Sequence, residues 1–387
     1  MPGAPIVRRS GRSWRRGAGR NRTGEWEFCR LLPYHLATAP RDRKLWSDRR
    51  CLKPATPARD RRNTFTATYP VRVTLVSLAD LHAARRVIGD RLVRTPLVPA
   101  PSLSALVGVR VSLKLELFQQ TGSFKPRGVL NAIQALAPDE RSRGVISISA
   151  GNHAQALAWA AAAIGVPATV VMPATAVRAK VDATRSYGGE VILTAEDLLA
   201  TMRQVQEERS LAFVHPFDDP VVIAGAGTLG LEIAEDAPDA ALVIAGCGGG
   251  GLLSGVAAAM HATLPDARVV GVEPAGADAM RQSLARGEPV RLARTDTIAD
   301  GLAAPFAGVH TLAHVQAFVQ GITIVEDAQI LDAMRVLMRL ARILPEPAGA
   351  AAAAALLSGM VEAQPGEHVV VVVSGGNADP DRLRTLL

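Results

Sequence analysis

Lys125 is the residue whose type and placement most directly suggest chemistry, because a lysine with a lowered pKa carries a nucleophilic amine at neutral pH. It stands between residues 109–118, an apolar-alternating run that predicts a strand, and residues 129–136, whose apolar positions recur at helical spacing. We expect partial burial, together with the neighbouring cation of Arg127, to lower the pKa of the Lys125 amine. The alternative is an ordinary surface lysine in a turn.

A second candidate site is a glycine-rich loop that follows a fully apolar predicted strand, residues 241–245. Consecutive glycines allow backbone N–H groups to close around an anion, and the start of the helix predicted over residues 253–261 adds a favourable dipole. We therefore expect a phosphate group at this loop. The loop runs from Gly246 to Leu252 and contains Gly248, Gly249, Gly250, Gly251 and Leu252.

The same loop also satisfies the G-x-G-x-x-G pattern of dinucleotide-binding folds, at Gly246, Gly248 and Gly251. Glu273 ends the next predicted strand, about where such folds place the acid that binds a ribose hydroxyl. A nicotinamide-dependent oxidoreductase is therefore an open alternative. Two observations disfavour this alternative. It gives the segment around Lys125 no role, and the glycine loop lies past the middle of the regularly patterned chain, whereas the dinucleotide motif belongs to an opening βαβ unit.

Two further loops follow predicted strands and carry groups suited to binding. A strand of five valines, residues 369–373, ends in Ser374, whose hydroxyl would lie at the carboxyl edge of a parallel sheet, where α/β folds bind ligands. A strand over residues 144–149 runs into a polar loop and then an alanine-rich helix. That loop includes Ser149, Ala150, Gly151, Asn152 and His153.

The elements that position these loops alternate between strands and helices from residue 73 onward, which predicts an α/β fold with parallel sheets flanked by helices. Pro126 suits the first turn of the helix after the lysine because its ring fixes a helical φ, and Ser123 is predicted to be that helix's N-cap. Another helix is expected from about residue 227. Further strands are predicted over residues 165–172, 190–193 and 268–272.

We predict a larger domain from residues 71–146 and 216–387 and a smaller inserted domain, residues 147–215. Residues 1–70 carry 15 arginines and 2 lysines against 5 acidic residues, a net charge of +12, whereas the rest of the chain sums to −5. This basic segment has no sustained helical or strand period and is predicted to be a disordered extension. The positive charge of this segment makes nucleic-acid binding an alternative function. Because the regularly patterned part of the chain is mildly acidic, we expect no nucleic-acid partner.

Cysteine usage and hydropathy indicate a cytoplasmic protein without a membrane partner. Cys29, Cys51 and Cys247 share no metal-binding spacing and leave an odd cysteine over, which is typical of a reducing compartment. No apolar run reaches transmembrane length without interruption by glycine or charge.

Taken together and in order, the four loops resemble the fold-type II pyridoxal-phosphate enzymes, most closely the threonine/serine dehydratases. The resemblance runs from about residue 73 to residue 377, and residues 215–219, 297–301 and 346–350 are also similar to this family. It implies a two-domain fold like that of the tryptophan synthase beta subunit, with its larger domain binding pyridoxal 5'-phosphate. It also implies a small amino-acid substrate and a homodimer or homotetramer.

The resemblance assigns a role to each candidate residue. Lys125 would form the Schiff base with the cofactor and, once freed, take the α-proton of the substrate. Residues 248–252 would bind the cofactor phosphate, and Ser374 would contact its ring nitrogen. Residues 149–153 would bind the substrate carboxylate, and Asn152 would hydrogen-bond the ring hydroxyl. The implied reaction is dehydration and deamination of L-threonine or L-serine to 2-oxobutanoate or pyruvate plus ammonia.

Two departures from the family pattern bear on the site. The usual Gly-Gln-Gly-Thr is Gly-Ala-Gly-Thr at residues 225–228, which removes one amide. Some relatives hold a divalent cation with a Glu, a carbonyl four residues on and an Asp six residues on. Glu273 and Ala277 match that pattern, but Ala279 stands at the last position, and we assign no metal.

A third departure concerns racemisation, because an amino-acid isomerase such as serine racemase is the main alternative on this scaffold. Racemase-like relatives carry a serine that returns a proton to the face opposite the lysine, and Ala150 stands there in this chain. Ser149 is one residue earlier, and alternation along a strand would aim it away from the ring. We therefore expect elimination to exceed racemisation.

Overall fold

The computed structural model describes residues 73–386. The predicted basic extension, residues 1–70, lies outside the described residues. Within residues 73–386, no helix combines the length and the apolar character needed to cross a membrane.

The strands of the described chain form two sheets, and their bounds follow. They are β1 (Leu97–Pro99), β2 (Arg110–Leu115), β3 (Val145–Ile148), β4 (Ala168–Pro173), β5 (Glu190–Thr194), β6 (Ala212–Phe213), β7 (Ala240–Gly246), β8 (Arg268–Pro274), β9 (Gly321–Val325) and β10 (His368–Val373).

The larger sheet has the strand order β1-β2-β10-β7-β8-β9. Only β1 runs antiparallel to its neighbour among these described strands, and the other neighbouring pairs are parallel. β7 and β10 are almost wholly buried, which explains their continuous apolar sequences. Because these two strands are adjacent and parallel, the loops at their carboxyl ends lie at the same edge of the sheet.

The smaller sheet is fully parallel, with the order β5-β4-β3-β6. It runs from Val145 to Phe213 along the chain, whereas the predicted inserted domain spans residues 147–215. The parallel α/β class predicted from the sequence is confirmed, and the domain boundaries stay a prediction. The carboxyl end of β3, one of the two central strands, leads directly into residues 149–153.

Helices cover the faces of both sheets. They are α1 (Leu78–Ile88), α2 (Pro101–Val107), α3 (Lys125–Ala135), α4 (Pro138–Arg143), α5 (Asn152–Ala162), α6 (Arg178–Ser186), α7 (Leu198–Arg209), α8 (Pro220–Asp236), α9 (Gly251–Thr263), α10 (Ala279–Arg286), α11 (Val309–Phe318), α12 (Asp327–Val336), α13 (Pro347–Leu357) and α14 (Pro380–Leu386).

Helix α8 begins at Pro220, seven residues before the start predicted from the sequence at about residue 227. Asp219 is its N-cap, and its side chain accepts a hydrogen bond from the Val221 N–H. The glycines inside the helix serve packing. A Cβ on Gly225 would overlap the carbonyl oxygen of Arg127, so α3 and α8 can approach closely only with glycine there.

Candidate active site

Lys125 is the first residue of α3, at the carboxyl end of the segment that leaves β2. Its Nζ donates a hydrogen bond to the carbonyl oxygen of Pro216 at 2.8 Å and lies 5.1 Å from the centre of the Phe124 ring. The side chain is half-buried. Burial lowers the pKa of the Lys125 amine to about 8, and the charge of Glu346 opposes that shift. A substantial fraction of the amine is therefore neutral near physiological pH.

Two expectations about this segment are wrong. Arg127 is not among the causes of the lowered pKa, because its guanidinium is held by the carboxylates of Glu116 and Glu232. Ser123 is not the N-cap of α3. Phe124 takes that position in a helical conformation without a side-chain cap, and the buried Ser123 hydroxyl has no hydrogen-bond partner within the described chain.

The loop after β10 lies directly beside the lysine segment. The carbonyl oxygen of Ser374 accepts the Phe124 N–H at 3.1 Å, and Gly376 donates its N–H to the Gly122 carbonyl at 2.9 Å. Gly122 has a φ of +71°, and a Cβ on it would overlap the Asn377 side chain. A glycine is therefore required for this close approach, which brings Ser374 next to the residue preceding Lys125.

Asn152 joins the smaller sheet to this arrangement. It is the first residue of α5, and its Nδ2 donates to Glu346 Oε1 at 2.6 Å. Its Oδ1 accepts from Asn377 Nδ2 at 2.9 Å. The same Asn377 nitrogen donates to the carbonyl oxygen of Thr121 at 2.7 Å. Glu346 and Asn377 were not among the predicted site residues, although the segment around Glu346 had been noted as family-like.

Among the other residues of the 149–153 loop, Ser149 bonds to the backbone and His153 is buried in the core. Strand β3 ends at Ile148, so alternation along a strand does not decide where Ser149 points. Instead, its Oγ accepts the Gly151 N–H at 3.1 Å. His153 is buried, and its Nε2 lies 2.9 Å from Ser147 Oγ. Burial, reinforced by the charge of Lys125, holds the pKa of His153 well below its usual range, so the ring is neutral.

The glycine loop turns from β7 into α9. Gly250 is the N-cap of this helix and has a φ of +95°, a conformation that favours glycine. The next residues, Gly251 and Leu252, open the helix, where backbone N–H groups have no intrahelical partner. The ring of Phe217 packs against Gly249, where a Cβ would overlap it.

Residues 215–219 connect the lysine, the glycine loop and two helices. The Nδ1 atom of His215 accepts the N–H groups of Phe217 and Asp218, at 3.2 and 2.7 Å, which fixes a tight turn. The carboxylate of Asp218 accepts three backbone N–H groups at the start of α11, at 2.8 to 3.0 Å. The Pro216 carbonyl of this segment contacts Lys125. The sequence marked the segment as family-like and as the end of the inserted domain, but predicted no role for it in the site.

Glu273 does not occupy a ligand-facing position. Its carboxyl group is buried and accepts the N–H groups of Met280 and Arg281, at 2.8 and 2.9 Å, at the start of α10. Burial raises the pKa of Glu273 to about 8, although these two hydrogen bonds oppose the shift. This use of the side chain disfavours the dinucleotide interpretation, in which Glu273 would bind a ribose.

Together these groups fit a pyridoxal-phosphate ligand. An amine that is partly neutral near pH 8 can bond to an aldehyde carbon, and the start of α9 offers N–H groups to a phosphate. Asn152 has a second amide hydrogen beyond the one that Glu346 accepts. The assignment of each side chain to the cofactor stays a prediction.

Replacing Glu346 by glutamine is expected to stabilise the protein at pH 8 and to have little effect at pH 4.5. Burial, then the charge of Asp300, raises the pKa of Glu346 from 4.5 to about 7, so ionisation costs folded stability as the pH rises through this range. The difference corresponds to on the order of 3 kcal/mol. Urea unfolding of the cofactor-free protein at both pH values measures it, and an equal effect at both would contradict the shifted pKa.

Comparison with known proteins agrees with this geometry. Residues 88–375 match the family model described as pyridoxal-phosphate dependent enzyme. The L-threonine ammonia-lyase of Thermotoga maritima is 40% identical over 316 residues, covering 81% of this chain and 78% of that protein. The crystal structure of the T.th. threonine deaminase has a TM-score of 0.74 at 41% identity, covering 78% of this chain and 99% of that one.

A relative with the competing activity is about equally similar. The structure of maize serine racemase has a TM-score of 0.77 at 37% identity and covers 81% of this chain and 97% of that one. Sequence identity alone therefore does not separate a lyase from a racemase. Both kinds of relative share the fold and the family, and the chain belongs to the pyridoxal-phosphate-dependent enzymes.

Proposed function

We propose that this protein converts L-threonine, and also L-serine, to 2-oxobutanoate or pyruvate plus ammonia by dehydration and deamination. The observation that carries the proposal is the Lys125 amine of lowered pKa, which donates to Pro216. The loop after β10 lies beside the lysine segment and contacts the loop after β3, and Phe217, next to Pro216, packs against the loop after β7. The similarity to L-threonine ammonia-lyase and threonine deaminase supports the choice of substrate.

Lys125 would act as the general base. Bound pyridoxal phosphate supplies an electron sink for the electrons released at the substrate α-carbon. The neutral Lys125 amine accepts the α-proton, and the Pro216 carbonyl, 2.8 Å from Nζ, orients the amine. A pKa near 8 suits this role because it lies close to neutral pH.

The chain's other site residues would bind and orient. The N–H groups of Asn152 and His153, at the start of α5, would donate hydrogen bonds to the substrate carboxylate, and the loop from Gly248 to Leu252 would hold the phosphate. Ser374 would place a neutral hydroxyl at the ring nitrogen. A neutral partner there keeps the electron sink mild, which favours loss of the β-hydroxyl over transamination.

The direct test is to incubate purified holoenzyme with L-threonine or L-serine and to measure 2-oxo acid and ammonia. We expect equimolar release of both products, together with a visible cofactor absorbance that borohydride abolishes. If neither substrate yields a 2-oxo acid, the proposed reaction is wrong. Absence of the borohydride-sensitive absorbance would contradict the role of Lys125.

Elimination is expected to exceed racemisation because Ala150 offers no proton donor. This residue directly precedes Gly151, the N-cap of α5, and its methyl group cannot return a proton to the face opposite Lys125. With L-serine, pyruvate should therefore greatly exceed D-serine, and Ala150→Ser should raise the D-serine share several-fold. Chiral chromatography of the remaining serine, alongside pyruvate measurement, checks this. Comparable rates of D-serine and pyruvate formation in the unsubstituted protein would favour the racemase alternative.

We further propose a cytoplasmic homodimer or homotetramer. The odd cysteine number supports a reducing compartment, and the resemblance to the dehydratases supports the assembly. Light scattering coupled to size-exclusion chromatography tests the assembly, and a monomer at micromolar concentration would contradict it.

A further inference from the structure

Both the oxygen and the nitrogen of the Asn152 side-chain amide are hydrogen-bonded, and a series of hydrogen bonds fixes the orientation of this amide. The carbonyl oxygen of Thr121 can only accept, so the group of Asn377 that faces it, 2.7 Å away, is the Nδ2 donor. That nitrogen also lies 2.9 Å from Asn152, which must therefore present its oxygen there. The nitrogen of Asn152 is then left to face Glu346 Oε1 at 2.6 Å, where an ionised carboxylate accepts it.

Glu346 is itself fixed in place by backbone. It is the N-cap residue of α13, and its N–H donates to the Gly375 carbonyl at 3.1 Å. A Cβ on Gly375 would overlap Oε1, so the carboxyl group lies tightly against the loop that carries Ser374. The side chain makes no capping hydrogen bond to α13 and is 4% exposed. Its contact with Asn152 is therefore not a by-product of helix capping.

We propose that Glu346 and Asn377 are positioning residues for Asn152, and that together they make Asn152 present an N–H donor, not its carbonyl, to the cofactor. One hydrogen of Asn152 Nδ2 is used by Glu346, and the other is free to donate to an oxygen on the ring. The inference deepens the proposed function and rests on its placement of the cofactor beside Asn152.

The charged groups around Glu346 make this arrangement sensitive to pH. Asp300 before α11, Lys180 on α6 and Lys125 on α3 all act on the Glu346 carboxyl group. Asp379 and Arg382 line the same cavity of about 50 Å³ as Glu346, Lys180 and Asp300. A protonated Glu346 can donate, so it could hold Asn152 by its oxygen as well as by its nitrogen. Donor presentation should therefore weaken as the pH falls through the pKa of Glu346, about 7.

The test uses the full chain and pyridoxal phosphate alone, without substrate. We expect Glu346→Ala to raise the cofactor dissociation constant about tenfold, which corresponds to ~1.4 kcal/mol. Glu346→Gln keeps an acceptor, so it should retain most of the affinity, but the visible absorbance should lose the pH dependence centred near the pKa of Glu346. Asn377→Asp removes the donor that orients Asn152, so it should raise the cofactor dissociation constant as much as Glu346→Ala does.

Asp300→Asn is the matched control. It removes a neighbouring negative charge that raises the pKa of Glu346, without contacting Asn152, so it should move the spectral transition to lower pH and leave the dissociation constant at high pH unchanged. Circular dichroism of each cofactor-free variant checks folding, and if Glu346→Ala fails to fold, the Gln and Asn377→Asp variants decide. Wild-type affinity and an unchanged pH dependence in those variants would overturn the inference.

This outcome is distinguishable from failure of the proposed function. If the unsubstituted protein binds pyridoxal phosphate and releases 2-oxo acid, but the Glu346 and Asn377 variants bind equally well, only the positioning role is wrong. If the unsubstituted protein does not bind pyridoxal phosphate, both are wrong. If it binds the cofactor with the expected variant effects but releases no 2-oxo acid, the positioning role stands and the proposed reaction is wrong.

Discussion

Lys125→Ala is expected to lower the rate of 2-oxo acid release by at least about a thousandfold, because one side chain would supply both the bond to the cofactor and the base for the α-proton. Its amine, with a pKa of about 8, is suited to both roles at neutral pH. The methyl group of alanine has neither capacity. Steady-state assays with L-threonine, at saturating pyridoxal phosphate, measure the loss.

The fold should survive this substitution. Burial lowers the pKa of the lysine, so its protonated form costs folded stability below pH 8, and alanine removes that cost. The melting temperature at pH 6 should therefore be equal to or higher than that of the unsubstituted protein. Lys125→Arg is the matched control, because it keeps a cation at the start of α3 without an amine of lowered pKa, and it should be equally inactive. Retained turnover in either variant would contradict the assignment.

The strands and the loops that follow them could be predicted from the sequence because each buried parallel strand leaves a continuous apolar run. β7 and β10 are such strands, and the sequence alone places the glycine loop and Ser374 at their carboxyl ends. Because β7 and β10 are neighbouring parallel strands, the loops that follow them lie at the same edge of the sheet.

The hydrogen bonds that join the separate loops of the site could not be predicted, because their partners lie far apart in sequence. Asn152 and Glu346 are 194 residues apart, and Asn152 and Asn377 are 225 apart. Local patterns carry no information about such pairs. The same limit explains the error over Arg127, where proximity in sequence to Lys125 suggested a coupling that the long-range contact with Glu232 removes.

Arg127→Met is expected to cost about 3–5 kcal/mol of folding free energy, the effect of removing one partner from a buried ion pair. The guanidinium is 1% exposed. It donates to both oxygens of Glu116, at 2.8 and 2.9 Å, and to both oxygens of Glu232, at 2.7 and 2.9 Å. Burial alone would lower the pKa of Arg127, but the two carboxylates outweigh it and raise the pKa, so the cation is permanent.

The cost should arise mainly at Glu116. Glu232 keeps a second cation, because Lys114 Nζ lies 2.6 Å from its Oε2, whereas Glu116 is fully buried and keeps the neutral hydroxyl of Thr95 as its remaining hydrogen-bond partner within the described chain. A carboxylate left in that position must either stay charged without a counter-ion or take up a proton. Adding Glu116→Gln to Arg127→Met removes the unpaired charge and should recover part of the lost stability.

Arg85→Met is the matched control, since Arg85 also pairs with a glutamate of α8 but at the surface. The side chains of Arg85 and Glu235 are 41% and 44% exposed, so their separation should cost less than about 1 kcal/mol. Urea unfolding of the three variants at pH 7 measures these differences. If Arg127→Met and the double variant lose the same stability, the cost comes from packing of the arginine side chain and not from the stranded carboxylate. In that case the ion network would not be what holds α3, and with it Lys125, against β2 and α8.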